Sequence, residues 1–444
     1  MTTSTRTLPR VFVSKFSDVD RWDPSSFHAI GWSWPDELTA PLRTVLDRRV
    51  EKVDKSAQAF SDLTPITIHF DGSVEHRRMS DDISYSMDLL WAHPGDLVAS
   101  KIDLKNGAMA VIPDGWNKVV VTNHFAVYKP RRELVDPRYL HLVVQTDAVK
   151  SHLWRNKVGA EGRKEVKLEF FESLRVPMPS VSTQEAIVSH WDAAQEELKG
   201  AEEAMSSLIR ELNKAFLDRT SKFDVATTSR AVSASWVGAS QWDVNAGRAA
   251  FLAAANPDFL RLGDHIEECS TIVRPWDKPD HEWPVYGVSN KVGVYLNGMK
   301  LGHLFTPGYT YQTIERDWFF HNPTRANVGS LGIVPEVQKD SITSPEYQVW
   351  KIKSALLPKF VDLLFQTAYF LKLVSISRVG GVKQRLFFAN LAEIRLPRFS
   401  LGEQADYAGR REDLTNRKAD AIDGLRKRKI EIEQIVLGKQ APPA

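Results

Sequence analysis

Residues 175–191 read RVPMPSVSTQEAIVSHW, and residues 394–410 read IRLPRFSLGEQADYAGR. Both run apolar, Pro, x, x, Ser, apolar, x, x, Gln, through Pro177, Ser180 and Gln184 in one and Pro397, Ser400 and Gln404 in the other. The matched Pro, Ser and Gln residues stand 220 apart, so an internal repeat is the first question the sequence poses.

Further pairs keep nearly the same offset and order. Trp22-Asp23 recurs as Trp242-Asp243, and Gly107 and Pro113 recur as Gly329 and Pro335 within GAMAVIP and GSLGIVP. Val127 and Lys129 match Val349 and Lys351; Pro137, Leu142, Gln145 and Thr146 match Pro358, Leu363, Gln366 and Thr367; Val158-Gly159 matches Val379-Gly380. Pro94-Gly95 and Pro307-Gly308 are 213 apart. On that pairing the second copy is shorter before this point and carries about nine more residues after it, an insertion suited to surface loops. The chain thus reads as two diverged copies of one unit.

Each copy has a β-like body. DLVAS, AMAVIP and KVVVTNHFAVYKP in the first, and GVYL, LGIVP and EYQVWKI in the second, are Val-rich runs bounded by Gly, Pro, Asp and Asn, the signature of strands and turns. DPRYLHLVVQT and LPKFVDLLFQTAYFLKLV follow with apolar residues at helical spacing, so a small helix packs on each sheet. The fold class is α+β: two tandem α/β domains, each followed by a long helix.

Ser182 with Glu185, and Ser400 with Glu403, fit the Ser-x-x-Glu capping box that starts a helix. From there Trp191, Ala194, Leu198, Ala201, Met205, Leu208, Leu212 and Ala215 step by threes and fours as a heptad seam. The equivalent seam in the second copy is Leu414, Ala421, Leu425, Ile432 and Ile435, with Arg411, Lys418 and Arg428 as defects. A helix of about 35 residues extends about 50 Å, further than a small body needs for its own core. Pairing the two as an antiparallel coiled coil buries both seams and holds the bodies at opposite ends of a spacer. The expected boundaries are a first body at 1–182, helix 183–217, connection 218–240, second body 241–402, helix 403–437 and tail 438–444. The stretch DRTSKFDVATTSRAVSAS, rich in Ser, Thr and Ala, supplies most of the connection.

Composition bounds what such a molecule does. Among 444 residues, 43% are hydrophobic and 26% charged, as in a globular protein, and no apolar run approaches the roughly eighteen residues of a membrane helix. MTTSTRTLPR lacks the apolar core of a signal peptide, and the single Cys269 excludes an internal disulfide framework. A cytoplasmic location is expected. The net charge of +2 means that any nucleic-acid surface must come from basic residues gathered by the fold.

Two similar but non-identical bodies on a spacer suit a long repetitive ligand, and DNA is one, its major groove facing a given side once per roughly 34–36 Å. Diverged bodies would read different half-sites, giving an asymmetric, bipartite target.

Over nearly its full length the chain resembles the specificity subunit of type I restriction–modification enzymes. The resemblance is carried by RWDPSSF and QWDVNAG at the start of each copy, by PGDLVASKI followed by GAMAVIP and TNHFAVYKP, and by the repeated Pro-x-x-Ser-apolar-x-x-Gln start of each long helix. It implies two target-recognition domains, each reading half of a split sequence of double-stranded DNA. It also implies spacer helices that set the gap and dock two DNA methyltransferase subunits and, where the system cleaves, restriction/translocase subunits. This chain would need no cofactor; S-adenosylmethionine belongs to the methyltransferase, ATP and Mg to a restriction partner. The second copy departs from the pattern, with PGYTYQTIERDWFF in place of the Gly-Asp-Leu string.

Candidate DNA contacts follow from side-chain chemistry on the loops, since Arg and Lys suit guanine or phosphate and Gln and Asn suit adenine. They are Lys101, Lys105, Asn106, Arg163 and Lys164 in the first copy, and Gln312, Arg316, Arg325, Lys383 and Arg385 in the second. Any one such charge is most often simply solvated, so the loops collectively are the candidate.

Catalysis by the chain itself finds no support. No Gly-rich cofactor loop or Asn-Pro-Pro-aromatic site is present; NPDF at Asn256 and NPTR at Asn322 read as turns. DLK at Asp103 and EVK at Glu165 lack a convincing acidic partner for a nuclease, and the histidines show no metal-ligand spacing. Two alternatives stay open: a specificity subunit of a methylation-based phage-defence system without cleavage, and a two-headed scaffold that binds only proteins.

Overall fold

The computed structural model describes residues 30–77, 87–159, 164–221, 223–235 and 244–443. Trp22-Asp23, Trp242-Asp243 and Arg163 lie outside them. The chain divides into two compact units: the described residues of Met1–Glu197 with Ile422–Ala444, and those of Leu198–Ala421.

The first unit holds strands β1 (Thr39–Pro41), β2 (Leu46–Arg49), β3 (Thr64–Ile68), β4 (Val74–His76), β5 (Leu89–Ala92), β6 (Leu97–Ser100), β7 (Met109–Val111), β8 (Val119–Thr122), β9 (Phe125–Pro130) and β10 (Arg175–Pro177). Its helices are α1 (Pro137–Gln145), α2 (Asp147–Arg155), α3 (Leu168–Ser173) and the start of α4 (Val181–Asp218). The strands form sheets β2-β9-β6-β7 and β4-β3-β8-β5 and a β1-β10 pair. β6 is buried throughout because both its faces are covered. Leu97 and Ala99 share a core with Tyr139, Leu153, Phe171 and Ile187 of the four helices, whereas Val98 shares one with Ile66, Leu90 and Val119 of the other sheet, the period-two alternation of a strand between two layers.

The second unit holds the rest of α4, then α5 (Phe223–Thr228), α6 (Val244–Ala255), β11 (Leu260–Arg261), β12 (Ile266–Glu268), β13 (Ile272–Val273), β14 (Glu282–Ser289), β15 (Gly293–Leu301), β16 (Tyr311–Thr313), β17 (Phe319–His321), β18 (Leu331–Ile333), β19 (Ile342–Thr343) and β20 (Gln348–Ile352). It continues with α7 (Pro358–Leu364), α8 (Ala368–Ser377), α9 (Phe388–Ala392), β21 (Arg395–Leu396) and the start of α10 (Leu401–Val436). Its sheets, β12-β20-β17-β18 and β13-β16-β19-β14-β15, and its β11-β21 pair repeat the first unit strand for strand, with β13 added at one edge. The alternation repeats as well: Phe319 and Trp350 pack on the helices, Phe320 and Val349 on the other sheet. The duplication read from residue offsets is a duplication of topology.

The repeated stretch is a joint. Gln184 is fully buried; its Oε1 accepts the N–H of Asp136 at 2.9 Å, and its Nε2 donates to the carbonyls of Leu134 at 3.1 Å and Pro179 at 2.9 Å. Gln404 does the same with the N–H of Leu357 at 2.9 Å and the carbonyls of Ala355 at 3.1 Å and Phe399 at 3.0 Å. A buried amide is tolerated because its partners are supplied, and here those partners lie on two segments that the glutamine ties together.

Three sequence expectations change. Ser400 and Glu403 form the capping box, with Ser400 N–H donating to Glu403 at 2.8 Å and Glu403 N–H to Ser400 Oγ at 3.2 Å. Ser182 instead lies inside α4, and the cap, two residues before the Ser-x-x-Glu pattern, is Ser180, which accepts the Thr183 N–H at 3.2 Å. The turn before β6 does not pair with Pro307-Gly308. Gly95 N–H donates to Ile112 and Asp317 N–H to Val334, and both residues are left-handed, at φ 79° and 64°. Asp317 therefore occupies Gly95's place at the ordinary offset, and the extra nine residues vanish. Within the expected connection, α5 buries Phe223 and Ala226 in the core of the second unit, so that stretch is partly structural.

The long helices pack together, antiparallel within each unit. In the first, Ile187, Val188 and Trp191 share a core with Ile432, Ile435 and Val436. In the second, Met205, Leu208 and Leu212 share one with Ala408 and Leu414, and Glu211 pairs with Arg410 at 2.6 Å while Glu202 pairs with Lys418 at 2.9 Å. Leu198 and Leu425 are half-buried. The seam defects are partnered: Arg411 meets the buried carboxylate of Asp362, Lys418 meets Glu202, and Arg428 donates to the His190 carbonyl at 3.0 Å.

Among the described residues no single helix is long and apolar enough to cross a membrane; the apolar α7–α8 pair is bent by 80° and lines the second unit's core. Cys269 is buried, and burial pushes its thiol up to about 11.

Candidate nucleic-acid interface

Each unit carries the same pair of tied loops. In the first, β6 runs into a tight turn over Leu104–Asn106 closed by left-handed Gly107 at φ 98°. There a Cβ would lie 2.4 Å from the Phe70 carbonyl, so both conformation and space demand glycine. Beside this turn, Val158 and Glu165 exchange two main-chain hydrogen bonds and close a second loop, and Val166 N–H donates to the Lys101 carbonyl at 3.1 Å. In the second unit the turn is Ala326–Val328, closed by Gly329 at φ 92°. Val379 and Arg385 close the second loop, and Leu386 N–H donates to the Pro323 carbonyl at 2.9 Å. One backbone device thus appears twice while its side chains differ.

The candidate residues separate by what their polar heads already hold. Lys105 is buried, its ammonium donating to the carbonyls of Ile102 and, at 2.9 Å, Lys164; it fastens one loop to the other and does not face solvent. Lys101 Nζ donates to the Asn123 carbonyl at 2.7 Å. Asn106 Nδ2 donates to Asp103 at 3.0 Å, and its Oδ1 accepts from Trp154 Nε1 at 3.1 Å. Gln312 donates to the Tyr347 carbonyl at 2.9 Å. Arg316 pairs with Glu336 at 2.6 Å and lies 3.6 Å from Asp317. Arg325, Lys383 and Arg385 are exposed and Lys164 half-exposed. None of these four side chains has an ion pair among the described residues.

The sequence reading passed over Trp154. It is 48% exposed, and Lys157 Nζ sits 2.9 Å from its ring centroid. Desolvation, then neighbouring Lys164 and Lys105, hold the Lys157 ammonium below the ordinary lysine range. The amphipathic spacing of α2 accounts for Val149 and Leu153 as core, but nothing in a single sequence reveals that Trp154 turns outward among cations.

No family model matches the sequence, and no curated protein matches it. Among solved structures the chain is similar to the type I restriction–modification system S subunit from M. genitalium, at 13% identity over 94% of this chain and 100% of that one, with a TM-score of 0.46. It is similar to the HsdS subunit from Thermoanaerobacter tengcongensis at 14% identity, over 92% and 96% of the two chains, with a TM-score of 0.32. A third similarity is to a chain from a structure on complex assembly and conformational transition of the type I R-M system, at 13% identity over 90% and 96%, with a TM-score of 0.40.

Proposed function

We propose that this chain is the non-catalytic sequence-specificity subunit of a type I restriction–modification complex, reading a bipartite, asymmetric DNA target with one body for each half. The observation that carries the reading is the tied loop pair built twice on one backbone plan with different side chains. A molecule that only joined two proteins would have no need of matched loops in both units. A reader of two unlike half-sites needs that combination, because phosphate contacts fix the docking geometry and side chains at the loop tips select the bases. Lys164 in the first body and Arg325, Lys383 and Arg385 in the second are the candidates whose side chains are held by neither an ion pair nor a hydrogen bond among the described residues.

In this reading the paired helices are the spacer, and methyltransferase subunits dock on the chain and supply both S-adenosylmethionine and the methyl transfer; ATP and Mg enter only with a restriction partner. The working place is the cytoplasm. The test is single-molecule sequencing of adenine methylation in source cells with and without the gene. Loss of one split, asymmetric methylated sequence supports the proposal; an unchanged methylome sinks it and turns attention to protein partners.

A further inference from the structure

An open groove of about 760 Å³ runs on the first unit between the tip of the β3–β4 hairpin, the Leu104–Asn106 turn and α2. Phe70, Trp154, Lys150, Arg155 and the Asp147 carboxylate stand on its walls. Phe70 and Trp154 are 59% and 48% exposed. The indole is held in place: its Nε1 donates to Asn106 Oδ1 at 3.1 Å, Asn106 donates onward to Asp103 at 3.0 Å, and the Lys157 ammonium lies against the ring. Lys150 is 3.8 Å from Asp147, and Arg155 has no ion pair among the described residues.

The second unit is an internal control. Thr146 and Thr367 cap α2 and α8 in the same way, through the Val149 and Phe370 N–H groups, which aligns the two helices residue by residue. Ser375 then stands where Trp154 does, Leu371 where Lys150 does, and the buried Ile376 where Arg155 does. Gly107 abuts Phe70, and Gly329 abuts Asn290, so Asn290 takes the place of Phe70. The fold is built without the aromatic and cationic groups, so they are not a structural requirement of it.

We propose that this groove takes one unstacked nucleotide of the bound DNA, its base against Trp154 and Phe70 and its phosphates toward Arg155 and Lys150. The inference rests on the DNA-reading function above and adds that the two bodies engage DNA differently. Aromatic faces beside cations bind bases with little regard to sequence, and a base reaches them only after leaving the helical stack.

The test is a fluorescence-anisotropy titration of the full-length chain with a duplex carrying one bulged thymidine and with the same duplex fully paired. The wild type should prefer the bulged duplex by about fivefold to a hundredfold, the span of one aromatic–base stack. Trp154→Ala should abolish the preference, Phe70→Ala should reduce it, and Trp154→Phe and Ser375→Ala should keep it; retention in Trp154→Phe separates loss of stacking from misfolding. Thymidine monophosphate that erases the preference at millimolar concentration would extend the site to free nucleotides. Equal binding of both duplexes by the wild type, or a preference that survives Trp154→Ala, overturns the groove assignment and leaves the DNA-reading function standing. No binding to either duplex overturns both.

Discussion

Gln184 Oε1 accepts the main-chain N–H of Asp136 at 2.9 Å, so the first turn of a long helix is fastened to the residue whose carboxylate caps α1. Gln184→Leu would remove the amide and leave one N–H and two carbonyls without partners. Each orphaned buried group costs about 1–3 kcal/mol, and with partial relaxation the first unit should lose about 2–4 kcal/mol. Gln404→Leu should do the same to the second. Calorimetry of the full chain should show one transition lowered in each variant; a shift below about 0.5 kcal/mol, the size of an ordinary surface change, would deny the joint its role.

Arg411 should matter through Asp362. Burial raises the Asp362 carboxyl above its ordinary range, opposed by Arg411 and the Ile333 N–H. Arg411→Met removes the larger opposing influence, so the folded-state value rises further above the unfolded one. A carboxyl of this kind holds its proton more tightly when folded, and stability declines as pH rises through the raised value. The variant should therefore be about 3–5 kcal/mol less stable than the wild type at neutral pH, with the gap narrowing as Asp362 protonates. Thermal melts across the acidic to neutral range decide it; a gap independent of pH would be wrong for this pair.

Loop substitutions should act on one half of the target at a time. Lys383→Ala and Arg385→Ala should change or weaken the half read by the second body and leave the other half intact, and Lys164→Ala the converse. Removing a base-reading side chain should cost about 1–3 kcal/mol and relax one position, while removing a phosphate-binding one should lower the salt slope by about one. Methylation mapping and salt-dependent DNA titration separate the cases, and a variant that degraded both halves equally would argue against independent readers.

Deleting one heptad from α4 and the facing heptad from α10 removes about 10 Å of helix, equivalent to about three base pairs at roughly 3.4 Å each. The gap in the methylated sequence should shorten accordingly while both half-sites persist. An unchanged gap in an active variant would show that the helices do not set it.

What was legible in the sequence was what repetition and periodicity encode. The Ser400–Glu403 cap, the buried residues Leu208, Leu212, Ile432 and Ile435 and the doubled joint all follow from spacing. The errors of register and of capping share a cause, since both needed a backbone conformation that residue identity does not announce. Asp317 adopts the left-handed turn that Gly95 adopts, so matching glycines misplaced the register. Ser180 and Ser182 are equally good caps on paper. Arg411, Lys418 and Arg428 look like flaws until their carboxylate and carbonyl partners, up to 238 residues away, are seen. Lys105 reads as a surface cation, and only the fold shows two carbonyls converging on its ammonium.

The core of the first unit is finished by the end of the chain, because Ile432, Ile435 and Val436 pack beside Trp191. During synthesis at about 5–20 residues per second, the apolar face around Ile187 and Trp191 leaves the ribosome roughly 12–50 s before the residues that cover it. The earliest part to be made is thus the last able to settle. A message broken just after the codon for Ala421 yields a protein whose second unit has its sequence complete and whose first lacks Ile432, Ile435 and Val436.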